Sequence, residues 1–352
     1  SEEFLGRIVD DRFEVHSFLG EGAVGAVYKA RDRGDGRVVA LKIWSDRGLN
    51  DQTRGRFARE ATALSTLRHP NIVDVFGYGV VDGRPYVAME YLEGDTLEAL
   101  LGEGEPLDPA LAFDVACQML EALAYAHALG VVHRDLKPEN VFLVRDASGR
   151  RHVKLLDYGL AKFLSPGDDP VKGALTMTGM MMGTPLYMPP EQAAGKTVDV
   201  RADVYAVGCV IFEMLSGAPP YLGETNAEIL RAHMIAPVPR LEAACPGVVA
   251  AAGVQEFFDR ALAKLPDKRF ESGAQMLQAL QALPQPMVRV TASPPARKSA
   301  APQPVAPAPV TPHAVAPKPV APSFEGARPS AVTFVSPEPK RGSLGAPLIG
   351  VM

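Results

Sequence analysis

At 352 residues, 47% of them apolar, the chain can bury one large core or two ordinary ones. The formal charge of −5 is uneven: the last 69 residues hold seven basic and two acidic side chains, so the part before Pro284 is markedly acidic and argues against nucleic acid as a partner. Three cysteines (Cys117, Cys209, Cys245) without C-x-x-C spacing suggest neither a disulfide framework nor a zinc site and fit a reducing cytosol.

Short β-branched and aromatic runs punctuated by Gly and Asp predict strands at Phe13-Glu14-Val15, Ala26-Val27-Tyr28 and Val38 to Ile43. From Asp51 to Arg68, Phe57, Ala61, Leu64 and Leu67 keep helical spacing until His69-Pro70 stops it. Two more strands are expected at Ile72 to Val75 and Tyr86 to Met89, and Glu90 to Asp95 reads as a connector. Beyond it helices dominate: Ala110 to Leu129, a buried one at Ala202 to Leu215, and shorter ones over 225–235, 254–263 and 273–283. A mainly β lobe followed by a mainly α lobe is an α+β arrangement with a cleft between lobes.

Past Pro284 the composition changes, with sixteen of the 32 prolines in the last 69 residues, and such runs cannot support a packed core. A disordered Pro/Ala-rich linker or tail is expected over 284–352. Leu344 to Met352 turns apolar just after Lys340-Arg341, which reads as a loose end or as the beginning of a membrane helix. No leader opens the chain and no run of about 18 apolar residues occurs, so the chain as given is not expected to cross a membrane.

Gly20-Glu21-Gly22-Ala23-Val24-Gly25 supplies G-x-G-x-x-G, whose missing side chains let a backbone approach phosphates. A dinucleotide fold needs a helix after the third glycine, but Ala26 to Ala30 reads as a strand, so that reading fails. Lys42 on a strand and Glu60 on the following helix make a cation aimed at phosphates with a carboxylate to fix it. His133-Arg134-Asp135-Leu136-Lys137-Pro138-Glu139-Asn140 gathers a carboxylate for a proton, an amide for a metal and a lysine for a phosphate. His69, His127, His152 and His233 show no ligand spacing and read as packing or surface residues.

Taken in order, these motifs with Ala40-x-Lys42, Asp157-Tyr158-Gly159, Pro190-Glu191, Asp203 and Arg269 resemble the eukaryotic-like (Hanks-type) bacterial serine/threonine protein kinases, from about Phe13 to Leu283. The resemblance implies a two-lobed protein-kinase-like fold, with residues 1–12 as an N-terminal extension, 13–91 as the N-lobe and 92–283 as the C-lobe. It implies ATP and Mg²⁺ as cofactors, with Mn²⁺ as an alternative, and transfer of the γ-phosphate to protein Ser/Thr hydroxyls. Asp135 would orient the hydroxyl and take its proton, Lys137 would neutralise the moving phosphate, and Asn140 and Asp157 would hold the metal. Lys42, Glu60 and Thr184 complete the catalytic set. Gly20, Glu21, Gly22, Gly25, Val27, Ala40, Lys42, Met89, Glu90 and Leu92 would surround the nucleotide, with Tyr91 beside them.

Thr176 and Thr178 would be autophosphorylated, with Arg134 and Lys162 receiving the phosphate. Glu191, Asp203 and Arg269 would be structural. The implied partners are protein substrates, domains that bind the Pro-rich tail, and a second copy for autophosphorylation in trans; no nucleic acid is expected. A cytoplasmic kinase domain is implied, membrane-anchored if the native chain continues past residue 352. Two departures stand out. Tyr158 replaces the family's phenylalanine and brings a hydroxyl that needs a partner, and Pro189 replaces its alanine. A silent scaffold is disfavoured by intact Lys42, Asp135, Asn140 and Asp157, and a small-molecule kinase by Gly183-Thr184-Pro185 and Pro190-Glu191.

Overall fold

Period-two alternation sets the first sheet: Phe13 and Val15 turn inward while Glu14 and His16 face out, and Tyr28, Leu41 and Ile43 fill the same core from the next strands. The computed structural model describes residues 2–22, 25–45, 51–102, 104–146, 149–158 and 184–290. Strands β1 (Ile8–Val9), β2 (Phe13–Gly22), β3 (Gly25–Asp32), β4 (Val38–Trp44), β5 (Val75–Val81) and β6 (Arg84–Glu90) form an antiparallel sheet in the order β1-β2-β3-β4-β6-β5. Helix α1 (Asp51–Thr66) packs on its edge through Phe57, Ala61 and Leu64.

Two expectations at this lobe are corrected. The strand expected at Ile72 to Val75 begins only at Val75, because the preceding residues spend their hydrogen bonds elsewhere: Leu155 N–H donates to Asn71 O at 2.9 Å and Val73 N–H to Leu155 O at 3.1 Å. Its continuation through Gly77 and Gly79 is hard to read as a strand. Yet a Cβ at Gly79 would meet the Tyr86 ring at 2.7 Å, so glycine is what lets this ring lie across β5. Residues before Phe13 are not an appendage either. Phe4 and Val9 are buried in the sheet's core, Arg84 grips Glu3 at 2.8 and 3.1 Å, and the Tyr86 hydroxyl donates to Asp10 at 2.6 Å.

The C-lobe is built on two buried helices. Helix α3 (Pro109–Ala128), after the short β7 (Gly94–Thr96) and α2 (Leu97–Leu101), starts where Asp108 caps the Ala110 and Leu111 N–H groups at 3.0 Å, with Pro109 at the first helical position. Strands β8 (Val141–Arg145) and β9 (Arg151–Leu155) complete a three-stranded sheet with β7, which no periodicity announced. Next come α4 (Pro190–Ala193) and α5 (Val200–Ser216), the latter ended by Gly217 at φ 77°, where a Cβ would strike the Gly104 carbonyl. Val115, Met119 and Leu123 of α3 and Val207, Ile211 and Phe212 of α5 belong to the main core.

Helices α6 (Asn226–Ile235), α7 (Leu241–Ala244), α8 (Val254–Ala261) and α9 (Gly273–Gln281) surround them. The fold does not stop at Leu283. Strand β11 (Val288–Val290) pairs antiparallel with β10 (Val248–Ala250), and Met287 and Val288 are buried, so the expected boundary at Pro284 moves outward. The tail expected from there lies, beyond Val290, outside the described residues. Among the described residues no helix is long and apolar enough to cross a membrane.

Candidate active site

The glycine turn divides by purpose. Gly22 faces Gly25 across β2 and β3, and a Cβ at Gly25 would run into the Ile43 carbonyl, so this glycine serves strand packing. At Gly20 and Gly22 added side chains would enter open space, which is the property a cover for phosphates needs. Exposed Glu21 lies between them. Below, Val27, Ala40, Met89 and Leu92 come together, with Tyr91, in one apolar cluster. The cluster also includes Val73 and Leu156, which sequence reasoning missed. Leu156 is placed there by its N–H, which donates to Asn140 O at 2.9 Å; the one available signal was its position ahead of Asp157.

Lys42, on β4, puts its ammonium on the Asp157 carboxylate, with side chains 13% and 28% exposed. Glu60 occupies α1, but its side chain lies outside the described residues, so its expected role toward Lys42 is not described. Asp157 is at φ 50° and Arg134 at φ 65°. For non-glycine residues this backbone costs about 1–3 kcal/mol and persists only where surroundings enforce it.

At Arg134 Asp203 supplies that enforcement. From the first turn of α5 it accepts the His133 N–H at 2.7 Å and the Arg134 N–H at 2.8 Å, and His127 Nε2 at 2.9 Å. Burial pushes its carboxyl upward, but the His127 hydrogen bond, reinforced by charge and by the His133 N–H, wins and leaves it below the usual range. His127 accepts the Gly273 N–H on Nδ1 at 3.1 Å, so Nε2 carries the proton toward Asp203. His127 is therefore a support of the catalytic loop and not the incidental packing or surface residue expected. His133, fully buried, has its pKa lowered by that burial; neutral, it donates to Leu156 O at 2.9 Å.

Asp135 is held from below by Asn140, whose amide donates to its backbone carbonyl at 2.7 Å and to Oδ2 at 3.1 Å. Lys137 Nζ lies 3.6 Å from the same Oδ2. The turn Pro138–Asn140 closes this group. Thr184 is exposed where the described chain resumes, and among the described residues no hydrogen bond joins it to Asp135 or Lys137. Lys162, Thr176 and Thr178 lie outside the described residues. The pair Glu191 and Arg269 forms as expected, with two contacts of 2.7 Å.

Tyr158 is buried, its ring 4.4 Å from that of His133, and its hydroxyl finds no hydrogen-bond partner among the described residues. Burial holds this hydroxyl's pKa well above its ordinary value. An unsatisfied buried donor is unfavourable, so Tyr158→Phe is expected to stabilise the fold by about 1 kcal/mol and leave kcat within about twofold. Thermal denaturation beside an activity assay checks this; a loss of stability would mean that the hydroxyl is satisfied. Pro189 is accommodated without strain: its carbonyl accepts the Gln192 and Ala193 N–H groups at 3.0 Å and opens α4.

The apolar cluster, the Lys42–Asp157 pair and Asp135 on its hydrogen-bonded loop can be set beside known proteins. The model described as the protein kinase domain matches residues 13–282. The chain belongs to the protein kinase domain family. Kinase domains of this family use ATP and a divalent metal. This one is 36% identical over 302 residues to the serine/threonine-protein kinase pkn3 of Myxococcus xanthus, covering 85% of this chain and 54% of that one. It is 38% identical over 265 residues to PknD of Mycobacterium tuberculosis, covering 75% and 38%. The chain thus spans about half or less of the curated relatives it matches. Among solved structures, the Mycobacterium tuberculosis PknI kinase domain aligns with a TM-score of 0.61 at 28% identity, covering 79% of this chain and 98% of that one. Rad53 1–466 in complex with AMP-PNP aligns with a TM-score of 0.61 at 25% identity, covering 76% and 64%.

Proposed function

We propose that this kinase domain transfers the γ-phosphate of ATP to serine and threonine hydroxyls of proteins. The observation that carries the reading is Asp135, a carboxylate fixed by Asn140 and Lys137 on a loop that Asp203 anchors. Asp135 orients the attacking hydroxyl and accepts its proton while the new O–P bond forms and the bond to the leaving ADP oxygen breaks. Lys42 and Lys137 offer positive charge to the phosphates. Asp157 and the Asn140 amide oxygen are hard oxygen donors, and Asp157 is partly open to the cleft, so this set fits Mg²⁺, with Mn²⁺ as an alternative. When bound, the metal neutralises phosphate charge.

The lysine two residues after Asp135 supports the Ser/Thr branch. Activation by phosphorylation of Thr176 or Thr178, in trans within a homodimer, belongs to the same proposal, with Arg134 and Lys162 as partners of the new phosphates. So do a cytoplasmic setting, membrane anchoring if the native chain runs beyond Met352, and capture of partner domains by the Pro-rich segment. The test is incubation with Mg·ATP followed by mass spectrometry. Wild type is expected to gain phosphate on Thr176, Thr178 or both and to label a generic protein substrate, and Lys42→Met to do neither; equal labelling by the two proteins would falsify the mechanism.

A further inference from the structure

Three stretches of chain distant in sequence meet at one ion pair. Lys154, on β9, places Nζ 2.8 Å from Glu90 Oε2 and 3.4 Å from the Ile72 carbonyl. Glu90 ends β6, where the connector begins; its N–H donates to Asp74 O at 2.9 Å and its carboxylate accepts the Asp74 N–H at 3.5 Å. The 71–74 stretch is itself bound to β9, since the buried Asn71 amide donates to Val153 O at 2.9 Å and to Gln118 Oε1 at 3.0 Å. Connector, 71–74 stretch and β9 therefore share one charged node.

What leaves this node on each side is chemistry. Three residues past Lys154 comes Asp157, paired with Lys42, and between them Leu156 enters the apolar cluster under the glycine turn. On the other side Met89 and Leu92, flanking Glu90, enter the same cluster. The Lys154 and Glu90 side chains are 16% and 30% exposed, so the pair is partly desolvated and screened less than a surface pair. Ion pairs of this kind add little net stability and serve better to fix geometry.

We infer that Lys154 and Glu90 form a positioning pair that sets the adenine-side connector against the strand delivering Asp157, and so tunes nucleotide affinity. Neither charged group has to touch nucleotide or metal; both act through Leu156, Met89 and Asp157. The inference rests on the proposed ATP-dependent activity. With the pair removed, the connector must be ordered by the nucleotide itself, which weakens binding while Asp135 and Asn140 keep their arrangement.

The experiment uses the full chain with Lys154→Met, Lys154→Arg, Glu90→Gln and the Lys154→Met/Glu90→Gln double variant. Direct titration with Mg·ATP gives Kd, steady-state phosphotransfer gives KM and kcat, and thermal denaturation gives Tm. Lys154→Met is expected to raise Kd and KM for ATP about three- to tenfold with kcat within about twofold and Tm little changed. Lys154→Arg should restore wild-type Kd, and the double variant should bind no worse than either single one. An unchanged Kd in Lys154→Met, a kcat that falls with it, or multiplicative losses in the double variant would overturn the pair's role. If wild type bound no Mg·ATP, the proposed function would fail first; if it bound and Lys154→Met bound equally, only the positioning role would.

Discussion

Asp135→Asn is expected to lower kcat about 10²- to 10⁴-fold while Kd for ATP and Tm stay near wild type. The amide keeps the shape of the carboxylate but cannot take a proton, and it loses the charge that Lys137 faces at 3.6 Å. Kd is spared because the apolar cluster of Val27, Ala40, Met89 and Leu156 contains no atom of Asp135. The fold is spared because Asp203 acts on the loop through the His133 and Arg134 backbone, which the substitution leaves in place. Steady-state kinetics at saturating ATP beside a binding titration checks it, and a kcat within tenfold of wild type would move the proton to another acceptor.

The largest effect on stability is expected at Arg269. Its guanidinium is fully buried and uses its donors on both Glu191 oxygens at 2.7 Å, on Ala263 O at 2.7 Å, on Arg201 O at 3.0 Å and on Lys264 O at 3.3 Å. Arg269→Met leaves a buried carboxylate and three carbonyls without their donor, which costs about 3–5 kcal/mol and lowers Tm by about 6–15 °C. Removing both charges in Glu191→Leu/Arg269→Met should recover a large part of that loss, because no uncompensated charge then remains inside. Thermal denaturation of the three proteins decides; a single variant that melts within 2 °C of wild type, on the order of 1 kcal/mol or less, would show the pair to be dispensable.

Much of the catalytic chemistry is readable in one dimension because it sits in short, continuous motifs. Asp135, Lys137 and Asn140 lie on one loop whose reach is a few bonds, so their meeting needs no knowledge of the rest of the chain. The adenine side is readable by halves. Val27, Ala40, Met89 and Leu92 stand on recognisable strands or the connector, whereas Val73 and Leu156 enter because two backbones pair across the cleft. His127 looked incidental because its partner is 76 residues away on another helix. Lys42 meets Asp157 across 115 residues. The Lys154–Glu90 pair, 64 residues apart, carries no motif at all.

The sequence by itself determined the β-then-α order of the lobes, the helix over Ala110 to Leu129 and the identity of the reacting side chains. Those depend on hydrophobic period and functional-group chemistry, both of which act within a few residues. Only the tertiary structure decided that residues 2–12 and 287–290 belong to the fold, that Ile72 to Asp74 pairs with β9 and the connector instead of extending β5, and that Tyr158 buries a hydroxyl with no hydrogen-bond partner among the described residues. Each of these turns on which distant backbone arrives alongside, and hydrogen bonds go to the partner that packing brings within reach.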